Sequence, residues 1–158
     1  PGNSYQSILS RRFDCDYINL GFSGNARAED EMMNYISELD MSVFVYDYDH
    51  NAPNTEHLKN THEKMFNAIR KKNPDLPIIM MSRPKYFLSD EEQERLAIIR
   101  TTYENAVSAG DKNVYFISGR ELMAEALDNG TVDNTHPNDF GFYSMAAALG
   151  KVLEKIIL

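Results

Sequence analysis

Short apolar runs rich in β-branched and aromatic residues alternate along this chain with longer stretches in which apolar side chains recur every three to four positions. That alternation is the pattern of a parallel sheet covered by helices, with right-handed crossovers as the default connection. Strands are expected over 17–22, 42–48, 77–82 and 114–118. A first helix over 4–13 places Tyr5, Ile8, Leu9 and Phe13 near one face, and a second over 26–39 gathers Met32, Met33, Ile36 and Leu39. Asn54 or Thr55 can cap a third helix that runs through Leu58, Met65, Phe66 and Ile69 until Asn73-Pro74 stops it. The next start is sharper: Ser89 followed three residues later by Glu92 is a capping box, and Gly110 closes that helix after Ala109. A short helix over 121–127, a turn at Asn129-Gly130 and a last helix over 140–157 complete the pattern.

Composition narrows the function classes. The 158 residues suit one domain, read as spanning 1–158, and 42% apolar with 25% charged residues is globular usage. With 24 acidic against 16 basic side chains the net charge is −8, which disfavours nucleic acid and anionic lipid. No apolar run reaches the roughly 20 residues of a membrane helix, so no membrane span is expected. The single cysteine, Cys15, has no internal partner and no histidine motif beside it, and reads as a structural thiol. His57 and His62, five apart on a polar helix, read as solvent-facing rather than as metal ligands, and neither a metal nor a cofactor is expected.

Three segments concentrate side chains that can do chemistry. Asn19 to Asn25 stands where a strand gives way to a helix, and its glycines can bring backbone donors to a negative oxygen; a plain turn is the alternative. Tyr46 to Pro53 stands at another strand end, where sites form in α/β sheets. There Asn51 can donate to an oxyanion, while Asp47, Asp49 or His50 can shape a rim; helix capping, or a divalent cation on Asp47 and Asp49, are the competing readings. In Asp133-Asn134-Thr135-His136-Pro137 a carboxylate sits three residues before a histidine, so one turn can present a general base and the acid that orients it.

Taken together, the three segments resemble the SGNH hydrolases, the GDSL-type esterases and lipases. Asn19-Leu20-Gly21-Phe22-Ser23-Gly24 resembles their second block, which implies that the Gly24 amide is an oxyanion donor. The loop ending at Asn51 resembles the third block in an Asp-x-x-x-Asn form, similar to a bacterial subgroup with an Asp-rich third block, and implies Asn51 as the side-chain donor. Asp133 and His136 match the Asp-x-x-His-Pro block as orienting acid and base. The resemblance implies a flavodoxin-like three-layer α/β/α sandwich and hydrolysis of small acyl esters, often acyl groups on carbohydrate. Asp49, His50, Arg27 and Arg83 are then candidates for substrate contact.

The chain departs from the family pattern at its start. The nucleophilic serine of the family follows the first strand, whereas this sequence opens at Pro1-Gly2-Asn3-Ser4-Tyr5 as if that block had just been passed. Strand and serine are therefore expected upstream; Ser4 reads as a helix cap and not as the nucleophile. A missing internal strand would leave backbone groups unpaired, which an N-terminal peptide or a strand exchanged with a second copy would fill. The absence of an initiating Met leaves the compartment open, with a secreted or periplasmic soluble protein among the expectations. A binding or structural domain on the same scaffold without a nucleophile is the alternative to a serine esterase, and a metal-dependent phosphohydrolase is a third reading.

Overall fold

The computed structural model describes residues 2–157. Three four-residue strands, β1 (Phe44–Asp47), β2 (Ile78–Met81) and β3 (Val114–Ile117), form a sheet in the order β1-β2-β3. β1 and β2 run parallel, with Phe44 beside Ile78 and Asp47 beside Met81. β2 is central, and all four of its side chains are buried, as expected for a strand covered on both faces. The helices are α1 (Tyr5–Phe13), α2 (Asp30–Ser37), α3 (Thr55–Lys72), α4 (Asp90–Ser108), α5 (Gly119–Leu122) and α6 (Asp139–Ile157). This is the α/β architecture expected from the alternating pattern, and the chain divides into two compact units.

One unit comprises residues 21–83 and 89–116. In it α3 packs against both α2 and α4, and α4 packs against β2. Its core is built from Tyr46, Leu58, Phe66, Ile69, Ile78 to Met81 and Ile99. Side chains two apart on β1 share a face, so Phe44, Tyr46 and the following Tyr48 stack their rings at 5.4 and 5.9 Å. His62 joins this stack, 4.4 Å from the Tyr46 ring, and is fully buried. The solvent-facing expectation for His62 is therefore corrected: it lies on the same helical stripe as Leu58, Met65 and Ile69, and its Nδ1 meets the Thr102 hydroxyl at 2.9 Å. Burial drives its pKa down to about 3, so the ring is neutral.

The other unit comprises residues 2–20, 84–88 and 117–157, with α1 and α5 packed on α6. Tyr5, Leu9, Leu122, Met123, Met145 and Leu149 form its core. Ser4 caps α1 by accepting from the Ser7 amide, as its position in the sequence led us to expect. At Gly141 the backbone of α6 comes so close to Gly130 that a Cβ would lie 2.0 Å from the Gly130 carbonyl oxygen. The start of α6 is thereby seated on the root of the turn that precedes it.

Three elements differ from expectation, the first being the short helix expected over 121–127, which is α5 at Gly119–Leu122, set earlier by the Ser118–Glu121 capping box. Residues 17–22 form no strand, and Tyr17, Ile18 and Phe22 remain exposed; among the described residues the sheet consists of β1, β2 and β3. The second helix starts at Asp30, not near residue 26, because Ala28 adopts φ 56°, a left-handed conformation incompatible with helix.

Candidate functional site

The candidate residues fall into two groups, one in each unit. The first is Asp133 and His136. Residues 130–138 fold back on themselves through an antiparallel bridge between Thr131 and Pro137, reinforced by the Val132 amide donating to the His136 carbonyl at 2.9 Å. Asn134 takes φ 65° at the tip, which is tolerable for Asn and turns the chain sharply enough to face residues 133 and 136 toward each other. Asn138 anchors the return: its amide donates to the Gly130 carbonyl at 3.0 Å, and its side-chain oxygen accepts from Gly141 N–H at 2.9 Å, capping α6.

Within that turn one Asp133 oxygen accepts from the amides of His136 at 2.7 Å and Thr135 at 3.1 Å, and the other meets His136 Nδ1 at 2.7 Å. The His136 amide, followed by its imidazole, holds the Asp133 carboxyl at a pKa of about 2, well below the usual carboxylate range. An ionised Asp133 favours the proton on Nδ1, which places the basic lone pair on Nε2. Asp133 and His136 are 51% and 74% exposed in their side chains, so the pair is open to an incoming molecule.

The second group contains Gly24, Arg27, Asp49, His50, Asn51 and Arg83. Phe22 to Asn25 make a tight turn, closed by Asn25 N–H donating to the Phe22 carbonyl at 3.1 Å, with Ser23 at φ 49° and Gly24 at φ 81°. Positive φ at both central positions is the reason a glycine serves here. Arg27 Nε donates to the Gly24 carbonyl at 3.2 Å, and the Arg27 carbonyl accepts from the Tyr48 hydroxyl at 3.1 Å and makes a 2.9 Å contact with His57 Nε2. The Gly24 turn is thus tied through Arg27 to the residue that follows β1 and to the first turn of α3. Burial raises the Tyr48 pKa, so its hydroxyl stays a neutral donor.

Asp49, His50 and Asn51 form a 3₁₀ turn directly after Tyr48. Asp49 is buried: one of its oxygens accepts from Arg95 Nε at 2.8 Å and the other from the Arg83 amide at 2.7 Å. Such a carboxylate supports the loop from inside, and the rim position expected for it does not hold. His50 and Asn51 are half-buried on the same turn. The Arg83 guanidinium pairs with Glu92 at 3.0 Å, while Arg27 is exposed. Sequence reasoning missed Arg95. Its signal was a charged residue in the buried stripe of α4, where Glu92, Arg95, Ile99, Thr102 and Ala106 follow at helical spacing.

Among the described residues no group of three or more His, Cys, Asp or Glu side chains is arranged to hold a metal ion, and no helix is long and apolar enough to cross a membrane.

Solved structures share this fold. A Bacteroides ovatus ATCC 8483 protein described as a GDSL-like lipase aligns with a TM-score of 0.86 at 30% identity, over 99% of this chain and 48% of that one. A salicylyl-acyltransferase of a tetracycline biosynthetic pathway aligns with 0.81 at 16% identity, over 98% and 49%. A family three carbohydrate esterase from Talaromyces cellulolyticus aligns with 0.73 at 14% identity, over 98% and 91%. The chain spans about half the length of the first two. No curated protein shows significant sequence similarity to it. The match to a family model runs from residue 1 to residue 154, and the chain belongs to the GDSL-like lipase/acylhydrolase family.

Proposed function

We propose that the full-length protein is a serine esterase that hydrolyses small acyl esters. The observation that carries this reading is the Asp133–His136 pair, a histidine fixed through Nδ1 by an ionised carboxylate at 2.7 Å. In the proposed reaction His136 Nε2 takes the proton of a serine hydroxyl as that oxygen attacks the ester carbonyl. Gly24 N–H and the Asn51 amide stabilise the tetrahedral oxyanion. Its collapse releases the alcohol, protonated by His136, and leaves an acyl-enzyme; water, activated by the same histidine, then frees the acid.

The nucleophile is assigned to a serine outside residues 1–158, since Ser4 is engaged as the α1 cap and Ser23 is built into the Gly24 turn. His50, Arg27 and Arg83 remain candidates for substrate contact. The carbohydrate esterases among the structural neighbours make an acetylated carbohydrate the substrate class to test first. Replacing Asn51 with Ala in the full-length protein is expected to lower turnover of p-nitrophenyl acetate by roughly 100-fold or more. Unchanged turnover in a folded variant rejects the assignment.

A further inference from the structure

The turn that carries Asn51 is held from inside by an arginine with no part in the chemistry above. Arg95, on α4 and 6% exposed, donates through Nε to the Asp49 carboxylate at 2.8 Å. Its Nη2 donates to the carbonyl of Asp49 and, at 2.8 Å, to that of Ala52. These acceptors stand two residues before Asn51 and one residue after it, so one guanidinium bridges both ends of the turn. Asp49 passes the constraint on to the Arg83 amide at 2.7 Å, and the Arg83 side chain returns to α4 through Glu92 at 3.0 Å.

A guanidinium is a planar fork whose donors keep fixed directions, and an ammonium cannot serve the three acceptors in the same geometry. Burying such a pair gains little stability, because desolvation offsets most of the attraction. Its effect here is geometric. An oxyanion donor works only if it is already in place when charge develops, and a displacement of about 1 Å can cost 100-fold in rate.

We infer that Arg95 is a positioning residue that clamps the 49–52 turn through Asp49 and Ala52 and so presets the Asn51 amide. The inference rests on the reading of Asn51 as an oxyanion donor. The test is a double-mutant cycle in the full-length protein with p-nitrophenyl acetate, comparing Arg95→Lys in the native and Asn51→Ala backgrounds, with the melting temperature of each variant. Arg95→Lys is expected to lower kcat about 10- to 100-fold with KM changed less than about twofold. In the Asn51→Ala background the same substitution should change kcat by less than about twofold, since the group it positions is gone.

A merely structural role would lower kcat by the same factor in both backgrounds, and that result overturns the clamp. So does Arg95→Lys with native kcat while Asn51→Ala is impaired. Unimpaired Asn51→Ala instead overturns the oxyanion reading itself. If Arg95→Lys does not fold, the isosteric Asp49→Asn is carried through the same cycle, and additive losses there overturn the proposal equally.

Discussion

Replacing Gly141 with Ala tests how the Asp133–His136 turn is held. The added methyl would lie 2.0 Å from the Gly130 carbonyl oxygen, and ordinary contact requires about 3.4 Å. Both partners are backbone, so α6 and the root of the turn must part by more than about 1 Å. That movement pulls on the two bonds that anchor the turn, Asn138 N–H to the Gly130 carbonyl at 3.0 Å and Gly141 N–H to the Asn138 side chain at 2.9 Å. Overpacking costs about 1–3 kcal/mol, and the better helix propensity of Ala returns up to about 1 kcal/mol. A net loss of about 1–2 kcal/mol should lower Tm by roughly 2–8 °C for a chain of this size. With His136 as the proposed base, its displacement should lower kcat by about 100-fold, since a misplacement of about 1 Å can cost that much. Thermal melts and p-nitrophenyl acetate kinetics on the purified variant check both numbers. Native Tm with native kcat would refute the claim that this glycine contact seats the Asp133–His136 turn.

Two predictions concern pH. Asp133 titrates near 2 in the folded protein, below its ordinary value, so it stays ionised across the working range. The pH–rate profile from pH 4 upward should therefore show no ionisation of this carboxyl, and an acid limb near pH 4 would contradict the assignment. His62 titrates near 3 in the folded protein and near 6.5 once unfolded, so the unfolded chain takes up the proton first as pH falls. Stability should then drop by about 1.4 kcal/mol per pH unit below 6.5. Denaturant melts between pH 7.5 and 5 read this slope; a flat wild-type profile, or an unaltered slope in His62→Phe, would count against it.

The parts of the fold that were legible in the sequence are those decided locally. Asn54 and Ser89 mark the starts of α3 and α4 because each cap bond spans three residues, and β2 shows as a continuous apolar run because it is buried on both faces. Residues 17–22 have a strand's composition, but strand formation needs a hydrogen-bonding neighbour, which a local pattern cannot report. His62 looked exposed because its flanking residues are polar, whereas the stripe it belongs to runs every three to four residues through Leu58, Met65 and Ile69. In the candidate site the Asp133–His136 contact follows from a spacing of three residues. The Arg95 clamp joins positions 46 and 43 residues apart, and only the folded chain brings those together.

Intact-mass analysis of the full-length protein after treatment with a fluorophosphonate tests serine acyl transfer most directly. A single adduct on one serine is expected, with its loss in His136→Ala while the fold is retained. An esterase that remains active and unlabelled, or one labelled equally well without His136, would contradict it.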